Sequence, residues 1–528
     1  MISRIEEAMN TIAEVLLLLL LAILPLYMQD KMVMIGDAKY VFFRNFSLIL
    51  LVISVVGAVL WKFCGGKSKR ELSTTDLLVL LFAISAIGSF LGSAYKETAL
   101  WGFADWHMGL FTQLLFVWIY FCVSRWYDGR DIVWKVAAAA AGVVFGLGLL
   151  NRMGIDPLGI YEGMPKGDWN RNNLLSTIGN SNWYCGYASV ASAFVIYFAY
   201  CGKGLGRSLG LAGTFITFAT FVTQGSESAY PVVAGMLVVL YFCSIESRRK
   251  LMDFIRVALL LPLSCVTLQI VEMLQLAKLE LNLDGSMDMV LRFKGWWLLL
   301  LLGLGMYVGL WYREKKGCVP WLSEKDLRRI SLAGMVCLVI VVVGTVVLCQ
   351  VSDTVWSVLG SIPFLRLNAD WGSGRGAIWY MAFMTWLQGG LRGMLIGVGP
   401  DCFAHGLYQQ FPMANSMQSE GKWADMVIAN AHNEGLNMLV NQGILGALVY
   451  VGIFVSIVVC LWRHRKSALL LGALLAVVGY GINGLFSFQQ VVSTPLVFAV
   501  IGMAEGILRK ERADTEGEAY DGRLDKAA

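Results

Sequence analysis

Charge is what this chain has least of. Asp, Glu, Lys and Arg make up 15% of its 528 residues against 57% hydrophobic, and the mean hydropathy is +0.64. A soluble chain of this length would divide into several polar-surfaced domains, and this composition excludes that. Histidine is scarcer still, with four in the chain. The 11 cysteines are scattered, mostly within apolar runs (Cys122, Cys201, Cys243, Cys265, Cys337, Cys460), without paired spacing. That excludes a disulfide framework or a zinc site. Clustered carboxylates of the kind a metal-dependent transferase needs are missing from the polar segments, and Glu227 stands alone in GSESAY. Gly397-x-Gly399 lacks the βαβ unit of a nucleotide loop. With no ATP-binding domain, energy must come from an activated substrate, a gradient, or nothing.

Long apolar runs are abundant. They cover about 13–28, 45–61, 75–93, 108–124, 136–150, 183–200, 209–224, 229–244, 257–274, 296–311, 331–349, 442–461, 468–487 and 494–508. Continuous runs, not alternating ones, mean helices, because lipid leaves no partner for unpaired backbone groups. The fold expected is an all-α polytopic membrane protein with about 14 (12–14) transmembrane helices. The formal charge of +5 is a topology signal. With the N-terminus inside, about 28 of the 42 Lys and Arg fall on the cytoplasmic side. They include Lys67, Lys69 and Arg70, Arg313 to Arg329, and Arg463, Arg465 and Lys466. Both termini are then cytoplasmic. The first run ends in Pro25-Leu26-Tyr27-Met28-Gln29-Asp30, without a small-x-small cleavage site, and reads as a signal anchor. Residues 1–511 read as one membrane domain and 512–528 as a disordered cytoplasmic tail.

Three stretches break the pattern of short loops, and all face outward: 94–107, 151–182, with Lys166 and Asp168, and the long loop 351–441 before the last three spans. Within the last, Ala377–Leu387 spaces Trp379, Phe383 and Trp386 as an interfacial helix would. His432 directly precedes a helix start at which Asn433 is a good N-cap. A helix dipole keeps an imidazole there neutral, as a general base requires. Arg171, Arg366, Arg375 and Arg392 lie outside against the positive-inside bias. Guanidinium forks bind phosphate oxygens bidentately, so these arginines are candidates for a diphosphate headgroup.

AHNEGLNMLVNQGILG, from Ala431, resembles the O-antigen ligase/polymerase family. STIGNSNWYCGY at 176–187, GSGRGAIWYMAF at 372–383 and GGLRGMLIGVGPDCF at 389–403 agree with that family in order. The resemblance implies a GT-C-like fold and an undecaprenyl-diphosphate-linked glycan donor. The acceptor would be a glycan, lipid or protein. It implies no metal, cofactor or nucleic acid, with His432 catalytic and Arg375 on the diphosphate. Asn433 and Glu434 are further candidate substrate contacts. Two family arginines are replaced here, by Glu227 and in the turn around His107, so Lys96, Arg171, Arg366 and Arg392 become candidate substitutes. A lipid-linked oligosaccharide flippase is the alternative, but the polar weight in one late loop, with mid-span charges nearly absent, favours a transferase. Ligase and polymerase share this donor chemistry.

Overall fold

The computed structural model describes residues 1–66, 72–165, 169–276, 285–318, 323–360, 362–412 and 427–527, without the side chains of 169, 170, 285, 286, 363 and 513–527. Lys67, Lys69, Arg70, Lys166 and Asp168 lie outside the described residues.

Each apolar run falls on a helix. Among the described residues, 10 helices are long and apolar enough to cross a membrane, fewer than the expected fourteen spans. Leu110–Trp126, Ala229–Ser244 and Ala468–Gly484 are apolar but shorter, below the roughly 20 residues that cross the hydrocarbon without local thinning. The last helix, Thr494–Ala527, continues its backbone through 512–527, within the stretch read from composition as a disordered tail.

Helix Ser181–Cys201 is the centre of the bundle, with 83% of its apolar window buried. It packs against Gly204–Thr223, Ala468–Gly484 and Asp131–Arg152. Helices Gly295–Lys315 and Glu324–Val351 bury 0% and 6% of theirs and form an edge whose apolar faces suit lipid.

Polar side chains close the places where backbone bonding fails. Helix Ile2–Leu18 passes into a π-turn, Leu19–Ile23, and then meets Pro25. Fully buried Lys39 donates to the carbonyls of Leu24, Pro25 and Tyr27 at 3.0, 3.0 and 2.8 Å. At the far end of the bundle Ser73 and Asp76 form a capping box on helix Thr74–Gly92. Buried Asp76 also accepts from Tyr120 at 2.7 Å and pairs with Arg125 and Arg509.

The long loop is built from helices, among them Asp353–Leu359, Gly390–Ile396 and Phe403–Gln410. Helix Trp371–Leu387 buries Ile378, Met381 and Ala382 against Phe403 and Leu407, a small core of the loop's own. The span after the loop, Glu434–Arg463, breaks at Gly443 (φ 68°). The break frees two carbonyls, and both find donors. Val440 O accepts from Val398 N at 3.1 Å, and Asn441 O from Gly399 N at 2.9 Å and Ser89 Oγ at 2.7 Å. A Cβ on Gly397 would lie 2.3 Å from the Asn441 carbonyl carbon, and one on Gly443 2.3 Å from that of Leu395. The Gly-x-Gly turn is therefore a close backbone approach that seats the loop on the bent helix.

Candidate functional site

Arg375 begins the regular part of its helix. Gly372, Ser373 and Gly374 all take positive φ (60°, 62° and 94°), so the chain turns sharply and regular helix starts at the arginine. Arg375 Nη1 donates to Gly372 O at 2.7 Å, which folds the side chain back over the turn. Its side chain is 11% exposed and faces Glu227 at 3.8 Å. Its Nε is buried and has no hydrogen-bond partner among the described residues. Burial lowers the guanidinium pKa and Glu227 partly opposes that shift.

His432 is held by its neighbours' backbone bonds. Its own φ is 47°, uncommon for a residue with a side chain, and its N–H donates to Asn430 Oδ1 at 3.1 Å. Asn433 caps the following helix, accepting from Leu436 N at 2.9 Å, and its amide donates to Leu485 O at 3.0 Å. Asn437 Oδ1 accepts from Ala431 N at 3.2 Å. Two asparagines and a helix start thus fix one strained residue and aim its ring. That ring stands edge-on to Phe488, centroids 5.0 Å apart, with Nδ1 buried and without a partner among the described residues. Burial, and then the charge of Arg375, push the imidazole pKa down to about 3. The neutrality expected from a helix dipole thus comes chiefly from burial and a nearby cation.

A cavity of about 240 Å³ opens beside Arg375. Glu227, Tyr230 and Pro231 line one side, and Phe364, Trp371 and Phe486 the other. Trp371 is set by its indole N–H, which donates to Phe364 O at 3.0 Å. The Tyr230 hydroxyl is buried without a hydrogen-bond partner among the described residues.

The remaining candidates do not converge here. Glu434 turns into the bundle, where it is buried and accepts from Tyr450 at 2.6 Å and Tyr480 at 2.7 Å. Lys96 donates to Phe90 O and Leu91 O, both at 2.8 Å, closing the end of helix Thr74–Gly92. Arg366 pairs with Asp353 at 3.4 Å and lies over Trp356. Arg171 lies over Tyr161 and donates to Met164 O at 3.2 Å. Arg392 is exposed, beside Gly92. Where the family arginines are replaced, Glu227 faces Arg375, and His107 Nε2 lies 2.5 Å from Asp37 while its ring stacks on Tyr40.

Sequence reasoning missed two parts of the site's frame. Arg152 is buried and donates to Asn172 O at 2.9 Å and Gln224 O at 2.8 Å, tying the 151–182 loop to the turn that carries Glu227. In sequence it was one more cation flanking an apolar run. The segment 485–493, which supplies Phe486 and Phe488, is largely buried although it is not helical. Its composition, LFSFQQVVS, offers no periodic signal.

Helices of this length and hydropathy define a multi-pass α-helical membrane protein, with its convergent polar groups on one late loop. Residues 289–451, which contain both Arg375 and His432, match the family model for O-antigen ligase. The match covers about a third of the chain, includes the motif segments at 372–383, 389–403 and from Ala431, and supports their resemblance to the O-antigen ligase/polymerase family. No curated protein matches the chain.

Proposed function

We propose that this protein transfers a glycan from an undecaprenyl-diphosphate carrier to an acceptor hydroxyl, without a metal ion. The site faces outward from the cytoplasmic membrane, and both termini are cytoplasmic. The observation that carries this reading is a pair of unsatisfied groups. Among the described residues a buried cation, Arg375, has no partner at Nε, and a neutral imidazole, His432, has none at Nδ1 and lies within range of that cation's field.

Buried polar atoms left without partners cost about 1–3 kcal/mol each, which a ligand that satisfies them offsets. Arg375 offers a charge-assisted hydrogen bond to a phosphate oxygen. His432 accepts the proton of the acceptor hydroxyl as its oxygen attacks the anomeric carbon. The bond from that carbon to the diphosphate breaks, the lipid diphosphate leaves with the electron pair, and Arg375 stabilises its growing charge. Single displacement inverts the anomeric centre. The two residues are coupled: a bound diphosphate neutralises the field of Arg375, so the imidazole pKa rises and the base strengthens when the donor is in place.

The test is transfer by the purified protein from an undecaprenyl-diphosphate-linked glycan in the presence of a chelator. Turnover should be unchanged. Activity lost to the chelator and restored by magnesium would contradict the His/Arg chemistry.

A further inference from the structure

We infer that Glu434 is a positioning residue for His432: its carboxylate, held between Tyr450 and Tyr480, closes a bent helix and so fixes the imidazole and the wall behind it. The inference rests on the reading that His432 is the base. Glu434 itself is buried in the bundle with both carboxylate oxygens occupied, so it acts on the chemistry through other residues.

The first contact spans the break in the helix. Tyr450 lies 16 residues beyond Glu434 on the same element, Glu434–Arg463, and its hydroxyl donates to Glu434 Oε2 at 2.6 Å. In a straight helix their Cα atoms would be about 24 Å apart, at roughly 1.5 Å per residue, farther than the two side chains can bridge. They meet because the helix breaks at Gly443, so that the half starting at Glu434 folds back toward the half carrying Tyr450. The hydrogen bond closes that fold. His432 is joined to the first half two residues before Glu434, so the angle at the break sets where the imidazole lies.

The second contact reaches the wall of the site. Tyr480, on helix Ala468–Gly484, donates to Glu434 Oε1 at 2.7 Å and shares a hydrogen bond with Thr494 Oγ1 at 2.9 Å. Thr494 Oγ1 also accepts from Gln490 N at 2.9 Å. At the other end of the 485–493 segment, the Asn433 amide donates to Leu485 O at 3.0 Å. That segment supplies Phe488, whose ring packs against that of His432. One carboxylate therefore governs both the helix that carries the histidine and the surface on which its ring rests. A carboxylate offers an acceptor to each tyrosine, where an amide offers only one. The fit around it is close, since a Cβ on Gly484 would lie 3.2 Å from Glu434 Cδ.

The test is a double-mutant cycle on the purified full-length protein, combining Glu434→Gln with His432→Ala. Two quantities are read: affinity for undecaprenyl diphosphate, and single-turnover transfer from the lipid-linked glycan of the producing cells. Glutamine keeps the shape but meets one tyrosine with a donor in place of an acceptor. Glu434→Gln alone should lower transfer by about tenfold to a hundredfold, as displacement of a catalytic group does, with donor affinity unchanged. In the His432→Ala background the same substitution should cost nothing further, because Glu434 acts through the imidazole. Tyr450→Phe removes only the contact across the break and serves where Glu434→Gln folds poorly. It too should slow transfer in the wild-type background and not in His432→Ala. Additive losses in the two backgrounds, or an equal loss of donor affinity, would make Glu434 a general support of the fold and overturn the proposal. Transfer by Glu434→Gln at the wild-type rate would overturn it as well. If His432→Ala itself transfers at the wild-type rate, the reading of His432 as the base fails and the inference with it, a result distinct from either pattern of loss.

Discussion

Two neighbouring residues, His432 and Glu434, show how differently adjacent polar side chains are used. His432 lies just outside a helix, strained at φ 47°, with a ring nitrogen that has no partner among the described residues. Glu434, two residues on, is consumed by two tyrosine hydroxyls inside the bundle. The family resemblance placed both in one candidate motif, because sequence shows adjacency and not the direction in which a side chain leaves the helix. Arg375 is the opposite case. The chain turns sharply at Gly372 to Gly374, and that turn places the arginine at the start of regular helix. Replacing Arg375 by Ala should remove its hydrogen bond to phosphate and cost about 1.5–3 kcal/mol in binding of undecaprenyl diphosphate. Arg375→Lys should recover little of this, because a point charge cannot reproduce the planar fork. Titration of the two purified variants checks both, and full recovery by lysine would mean that charge alone matters there.

The helices themselves were legible, since apolar runs of about 20 residues have few other fates. Their interruptions were not. The π-turn before Pro25, the break at Gly443 and the buried 485–493 segment depend on groups far away in sequence, such as Lys39, Ser89 and Val398. No local pattern announces such partners. The break at Gly443 matters most for the site, because it seats the Gly397–Gly399 turn against the segment that starts with His432–Asn433. Gly443→Ala would force a Cβ to within 2.3 Å of the Leu395 carbonyl carbon at φ 68°. It should cost about 1–3 kcal/mol of local strain and reduce transfer. A thermal melt of the detergent-solubilised protein, run beside the transfer assay, measures both. A variant as stable and as active as the wild type would show that the break is not needed.

For the molecule as a whole, the account depends on which side of the membrane the site faces. Charge asymmetry puts Arg313 to Arg329 inside and the loop with Arg375 outside. In a cysteine-free background, a cysteine at the exposed Leu391 should react with an impermeant thiol reagent in intact cells, and one at Lys316 should not. Labelling at Lys316 alone would invert the orientation. The proposed division of labour is that Arg375 holds the donor and His432 activates the acceptor. The most direct test is to measure donor binding and single-turnover transfer separately in purified His432→Ala. Donor affinity should match the wild type, while the transfer rate should fall by about two to four decades, the contribution of a positioned general base. Transfer at the wild-type rate would show that the imidazole is not the base, and would contradict the account at its centre.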